Sequence, residues 1–243
     1  MKKSLYIAIN FKQFIFSAIA IVVAFLFVFS LDLFYLHSSV ASAENKALPT
    51  IIIDAGHGGE DGGASSASGI VEKDINLQIA KKTEALLKSF GFSTIMIRDG
   101  DYMIYDSSCK TIREKKVSDI HKRMSIIEAN PNSIFLSIHQ NHYDESKYSG
   151  AQVFYSPANE QSEIIAQNLQ NSIVSKLQQD NTRHIKPSGT EIYLLHHAKT
   201  PAIMVECGFL SNSGEAQLLN DDEYQLKMAM AITDGIVTYL NSK

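Results

Sequence analysis

The stretch TIIIDAGHGGEDGG, Thr50 to Gly63, runs from an unbroken apolar segment into a loop of five glycines around one imidazole. A short continuous apolar run that stops at a glycine turn predicts a fully buried strand. Such strands belong to parallel sheets covered on both faces. Working outward, KDINLQIAKKTEALLKSFG places Ile75, Ile79, Leu86 and Leu87 at helical spacing and ends at Gly91. That pattern predicts an amphipathic helix. FSTIMIRD predicts a second strand, VSDIHKRMSIIEANP a helix from Val117 that stops before Pro131, and SIFLSIH a third buried strand. GAQVFYS, EIYLL and PAIMVECGF read as further strands. EQSEIIAQNLQNSIVSKLQ, SGEAQLLND and DEYQLKMAMAITDGIVTYL read as helices. Strands alternating with helices predict an α/β domain with a largely parallel sheet. The polar connection from Gly100 to Lys116 reads as a surface loop near a site. Asn212 in FLSNSGE reads as a helix cap, with Glu215 completing a capping-box-like pattern.

The chain has 243 residues, enough for one sizeable core. Lys2, Lys3 and Lys12 accompany the apolar run Phe14–Leu31, and Ala41-Ser42-Ala43 forms a small-residue cleavage site. Residues 1–43 therefore read as a signal peptide or an uncleaved membrane anchor, and residues 44–243 as one exported domain. Export places the domain outside the membrane, secreted or membrane-anchored. Removing the three lysines and Asp32 leaves 19 basic and 25 acidic side chains, a formal charge of −6. A mildly acidic surface argues against nucleic acid, which calls for a basic face. Cys109 and Cys207 are the two cysteines; they read as one loop thiol and one buried thiol. With so few thiols, any metal site must use histidine and carboxylate.

In open α/β sheets, sites form beyond the carboxyl ends of the strands. His57 follows the first strand, His139 ends SIFLSIH, Glu206 lies in the apolar strand PAIMVECGF, and Glu72 opens the first helix. Gly56, Gly58 and Gly59 strip side-chain bulk from around His57 and permit close approach. A glycine loop can also cradle phosphate, but this one lacks the dinucleotide spacing and the P-loop lysine, and Glu60 and Asp61 would repel an anion. An unpaired carboxylate in an apolar strand is costly unless its pKa moves toward neutrality, so Glu206 is a functional candidate. Two histidines and one carboxylate form the protein ligand set of a catalytic zinc. A second carboxylate left free would carry the proton. Spacing alone does not decide which of Glu72 and Glu206 holds the metal.

Read together, IIIDAGHGGEDGGA, VEKDINLQIAKKTEALLKSFGF, IMIRD, HKRMSIIEANPNSIFLSIHQNH, SGAQVFYS and PAIMVECGFLSNSGEAQLL resemble the zinc-dependent N-acetylmuramoyl-L-alanine amidases, the amidase-3 group, over nearly all of residues 50–240. The resemblance implies a three-layer α/β domain with a mostly parallel, mixed sheet of about six strands flanked by helices. It implies Zn2+ as cofactor, with His57, Glu72 and His139 as its ligands and Glu206 as the catalytic carboxylate. The implied reaction is hydrolysis of the amide between N-acetylmuramic acid and L-alanine in peptidoglycan. A short exported chain without wall-binding repeats looks most like the spore-cortex amidases of endospore formers. The implied partners are glycan strands with stem peptides and an activating protein; the membrane enters only through the N-terminal segment. Family members often carry a small residue after His-x-Asn. Here His142 and Tyr143 follow Asn141, which makes Asn141 and His142 the candidate substrate contacts. Two other readings compete: a zinc carboxypeptidase-like exopeptidase, which needs an arginine-lined pocket, and a metal-bearing wall-binding module without catalysis.

Overall fold

The computed structural model describes residues 48–242, together with Ile15 and residues 21–30. Two units divide between Ala47 and Leu48. Of the first, residues 21–30 are helical; the three lysines and the Ala41-Ser42-Ala43 site lie outside the described residues. Among the described residues, no helix is long and apolar enough to cross a membrane.

The second unit is built on a six-stranded sheet: β1 (Thr50–Ala55), β2 (Thr94–Met96), β3 (Ser133–Asn141), β4 (Gln152–Tyr155), β5 (Lys186–Pro187) and β6 (Ala202–Phe209). The spatial order is β2-β1-β3-β6-β4-β5. β1, β2, β3 and β6 run parallel, and β4 is antiparallel to β6. The helices are α1 (Glu72–Ser89), α2 (Ile112–Glu128), α3 (Glu160–Lys176), α4 (Tyr193–His197), α5 (Ser213–Leu219) and α6 (Asp222–Asn241). The expected mixed, mostly parallel sheet flanked by helices is the observed fold.

Alternation along each strand divides the core in two. Ile51, Ile53, Leu136, Ile138, Ile203 and Val205 face α1, α3 and α6 in the larger cluster. Ile52, Phe135 and Met204 face Met124 and Ile127 of α2 and Leu194 and Leu195 of α4. Each such buried side chain contributes roughly 1.5–3 kcal/mol relative to exposure, which explains why the run of three isoleucines in β1 needs cover on both faces. On the α2/α4 face, Asp54, Ser137 and His139 continue the alternation beyond the apolar rows, so polar groups emerge where the strands end.

Three expectations are corrected. EIYLL is not a strand: Tyr193–His197 forms the short helix α4. Its adjacent leucines Leu194 and Leu195 are both buried in the smaller core, which a helical turn permits and an alternating strand does not. The edge strand is instead Lys186–Pro187. The second helix starts at Ile112 rather than Val117, because Thr111 and Glu114 form a complete capping box. Asn212 caps α5 as expected, accepting from the Glu215 amide. The Glu215 carboxylate does not return to the cap; it accepts from the amides of Phe209 and Gly150. Cys207 is buried, Cys109 lies in the loop, and both are free.

Candidate metal centre and catalytic carboxylate

The loop after β1 leaves the sheet with His57 in the left-handed region, φ 64°. A non-glycine residue there costs about 1–2 kcal/mol and persists only where its surroundings hold it. Two buried arginines do so. Arg98 donates to the carbonyls of Ala55 (2.8 Å) and Gly56 (2.9 Å). Arg123 donates to the carbonyls of Ala55 (3.1 Å) and His57 (2.8 Å). Arg123 is neutralised by Asp54 and by Asp119, the latter at 2.6 Å. Burial raises the Asp54 pKa, but Arg123, His139 and Ser137 together outweigh it and the carboxyl stays below its ordinary value.

α1 has no side-chain cap. Its first amides donate to the loop instead, Glu72 to the Ala64 carbonyl (2.9 Å) and Lys73 to that of Gly62 (3.1 Å). The glycine loop therefore fixes the helix entry, and with it the position of Glu72. The Glu72 Oε2 accepts from the Ala64 amide at 2.8 Å, and Oε1 accepts from the Gln140 amide (3.1 Å) and Asn76 Nδ2 (3.2 Å).

Three side chains then converge. Glu72 Oε1 lies 2.9 Å from His139 Nδ1 and 3.2 Å from His57 Nε2. One donor atom from each of the three residues lies within 4.8 Å of the others. Tetrahedral zinc with bonds of about 2.0–2.1 Å separates its ligands by about 3.3 Å, close to these spacings. The other His57 nitrogen, Nδ1, contacts Asp61 Oδ2 at 2.9 Å, the orienting partner that ligating imidazoles characteristically have. Two nitrogens and one oxygen suit zinc, so the residues present fit the metal.

Burial lowers the His57 pKa, but the hydrogen bonds to Asp61 and Glu72 outweigh it and raise the imidazole to about 9. Burial acts upward on Glu72, yet His139 and His57 hold its carboxyl far below the usual range. Glu206 behaves in the opposite way. It is the cross-strand partner of His139, so the two side chains share a face about 5 Å apart. Its Oε2 is buried with no hydrogen-bond partner. Burial, reinforced by the Glu72 charge, raises it to about 7 against the lowering effect of His139.

His57, His139 and Glu206 line one cleft of about 460 Å³, walled by α2 and by Glu191–Leu194. Glu72 lies behind them and is buried. Asn141 lies at the end of β3 and lines a second, smaller cleft; His142 follows it and is exposed. Sequence reasoning missed the supports: Asp54, Asp61, Asn76, Arg98, Arg123 and Gln140. One signal was available, since Arg123 shares the apolar helix face of Ile120, Met124 and Ile127, where an arginine needs a buried partner.

The family described as N-acetylmuramoyl-L-alanine amidase (Amidase_3) matches residues 51–238. The germination-specific N-acetylmuramoyl-L-alanine amidase of Bacillus subtilis is 34% identical over 79% of this chain and 80% of its own. The CwlD amidase of Clostridioides difficile, solved in complex with the GerS lipoprotein, superposes with TM-score 0.78 at 40% identity, covering 81% of this chain and all of that one. The amidase AmiC2 of Nostoc punctiforme gives TM-score 0.68 at 29% identity over 79% of this chain and 97% of its own.

Proposed function

This chain belongs to the N-acetylmuramoyl-L-alanine amidase family, and from that premise we propose that His57, Glu72 and His139 hold a zinc ion while Glu206 moves the proton. The reaction is hydrolysis of the amide between N-acetylmuramic acid and L-alanine in peptidoglycan. A zinc ion in such a ligand set supplies Lewis acidity to an adjoining carbonyl and to water.

The observation that carries the assignment is the contrast between the two carboxylates. Glu72 is hydrogen-bonded on both oxygens and held ionised between two imidazoles, as a ligand must be. Glu206 has an unpartnered Oε2 and a pKa near 7, as a proton carrier requires. Glu206 would take the proton of the attacking water and return it to the alanine nitrogen as the C–N bond breaks. Asp61 keeps the His57 ring turned with Nε2 toward Glu72. Asn141 and His142 would contact the substrate beyond the end of β3.

The likeness to a germination-specific amidase and to CwlD supports spore cortex as the substrate and action outside the membrane. The CwlD relative was solved with a lipoprotein, which supports an activating protein partner here. The test is mass spectrometry of muropeptides after treating purified cortex glycan with zinc-loaded protein. Free stem peptides with new L-alanine amino termini and unsubstituted muramyl residues are the expected products. Intact muramyl-alanine bonds, with cleavage elsewhere in the peptide, would refute the reading.

A further inference from the structure

Beside the catalytic cleft, a second cleft of about 230 Å³ opens over β4, β5 and the end of β6, with Asn141, Gln152, Arg183, Lys186, Tyr148 and Phe209 in its wall. Two cations line it and no acidic side chain does, on a chain whose formal charge is −4. Arg183 is built in place. Its guanidinium lies over the Phe209 ring, 4.9 Å from the centroid. One Nη donates to Gln152 Oε1 at 2.7 Å, while Gln152 Nε2 donates to the His184 carbonyl at 2.8 Å. The Arg183 Nε is buried and has no hydrogen-bond partner. A guanidinium stacked on an aromatic ring, anchored by one hydrogen bond and standing in the cleft wall, presents its outer N–H groups in the planar fork that binds a carboxylate. Lys186 adds a second charge, 6.0 Å from the Phe154 ring centroid.

The cleft adjoins the reaction centre, because Gln152 is the cross-strand neighbour of Glu206. Adjacent strands lie about 5 Å apart, and an extended peptide advances about 3.3 Å per residue. A group within two residues of the scissile amide therefore reaches Arg183. The N-acetylated sugars and the amide-linked lactyl group of the substrate are neutral; its carboxylates are on the peptide. We propose that Arg183, assisted by Lys186, binds a carboxylate of the leaving stem peptide within two residues of the scissile bond, and so sets substrate specificity. The inference rests on the amidase reading and adds a specificity-determining residue to it.

The test uses two dipeptides in which the carboxyl of L-alanine is joined to the amino group of D-glutamate, with the side-chain carboxyl blocked as the carboxamide and the α-carboxyl either free or also as the carboxamide. Each is titrated calorimetrically into the zinc-loaded protein, and their muramyl forms are compared as substrates. The free carboxylate is expected to bind at least about tenfold more tightly, the size of a charge-assisted hydrogen bond. Arg183→Gln should remove that preference, and Arg183→Lys should retain part of it. Lys186→Gln, at an exposed position, should weaken the preference without disturbing the Arg183–Gln152 bond. Equal affinities for the two peptides in the unmodified protein, or a preference that survives Arg183→Gln, would overturn the proposal. Peptide binding needs no turnover. A failed catalytic assignment therefore shows as uncleaved muramyl substrates with the carboxylate preference intact, and a failed subsite as cleavage without preference.

Discussion

Replacing Gly56 with alanine tests the metal centre through a single methyl group. Gly56 has no positive φ, so alanine is not excluded by backbone conformation. Its Cβ would lie 2.2 Å from both Cε1 and Nε2 of His139, where ordinary contact begins at 3.4 Å. The ring must retreat by the difference, about 1.2 Å, whereas a zinc–ligand bond tolerates about 0.2 Å. β3 cannot yield as a unit, because it is paired on both sides, to β1 and β6. Disturbing the shell behind a ligand weakens metal binding by about 10–100-fold; displacing the ligand itself should reach or exceed the upper figure. The assay is zinc content after equilibration against a zinc-buffering chelator, with thermal melting as the measure of folding. Gly214→Ala is the control: Gly214 has no positive φ and its added Cβ would meet nothing closer than 3.5 Å, so it should keep its zinc. A Gly56→Ala protein that binds zinc with unaltered affinity would refute the packing argument and the ligand role of His139 with it.

Glu206→Gln should retain zinc and lose about 10²–10⁴-fold in kcat; near-normal turnover would remove Glu206 from the mechanism. Because the His57 imidazole titrates at about 9 in the metal-free protein, it carries a proton at neutral pH that zinc must displace. Apparent zinc affinity should therefore rise about tenfold per pH unit until pH approaches 9 and then level off, as competitive chelator titrations would show; a flat profile from pH 7 to 9 contradicts the assignment. The same raised pKa makes a stabilising contribution to the metal-free fold that is complete below about 6.5 and is lost as pH rises through about 9. Arg123→Met would leave Asp54 ionised and unpaired in the interior, at a cost of about 3–5 kcal/mol. That lowers Tm by roughly 10 °C for a domain of this size, and an unchanged calorimetric Tm would show the pair to be dispensable.

The elements were legible because their signals are local. The apolar run of β1, the helical spacing of α1 and the glycine turn after Ala55 each report on their own neighbours in the chain. EIYLL misled for the same reason. Its residues favour strand locally, but Leu194 and Leu195 must both reach the sheet face, and tertiary burial overrides propensity. The late start assigned to α2 was a missed local signal, since Thr111 and Glu114 already spell a capping box. The arginine supports were harder to foresee. Arg98 and Arg123 act on backbone carbonyls 42 to 68 residues away in sequence, and no local pattern announces such a bond.

By itself the sequence determined a parallel α/β sheet with histidines and carboxylates at its strand ends, because periodicity and strand–loop boundaries depend only on neighbouring residues. Only the tertiary structure decided which carboxylate is enclosed between imidazoles and which is left with a free oxygen. That division depends on the β3–β6 register, which sets Glu206 opposite His139, and on a loop that carries Glu72 back beneath both rings. Both are products of contacts between residues far apart in the chain, where burial and hydrogen bonding, not local preference, choose the geometry.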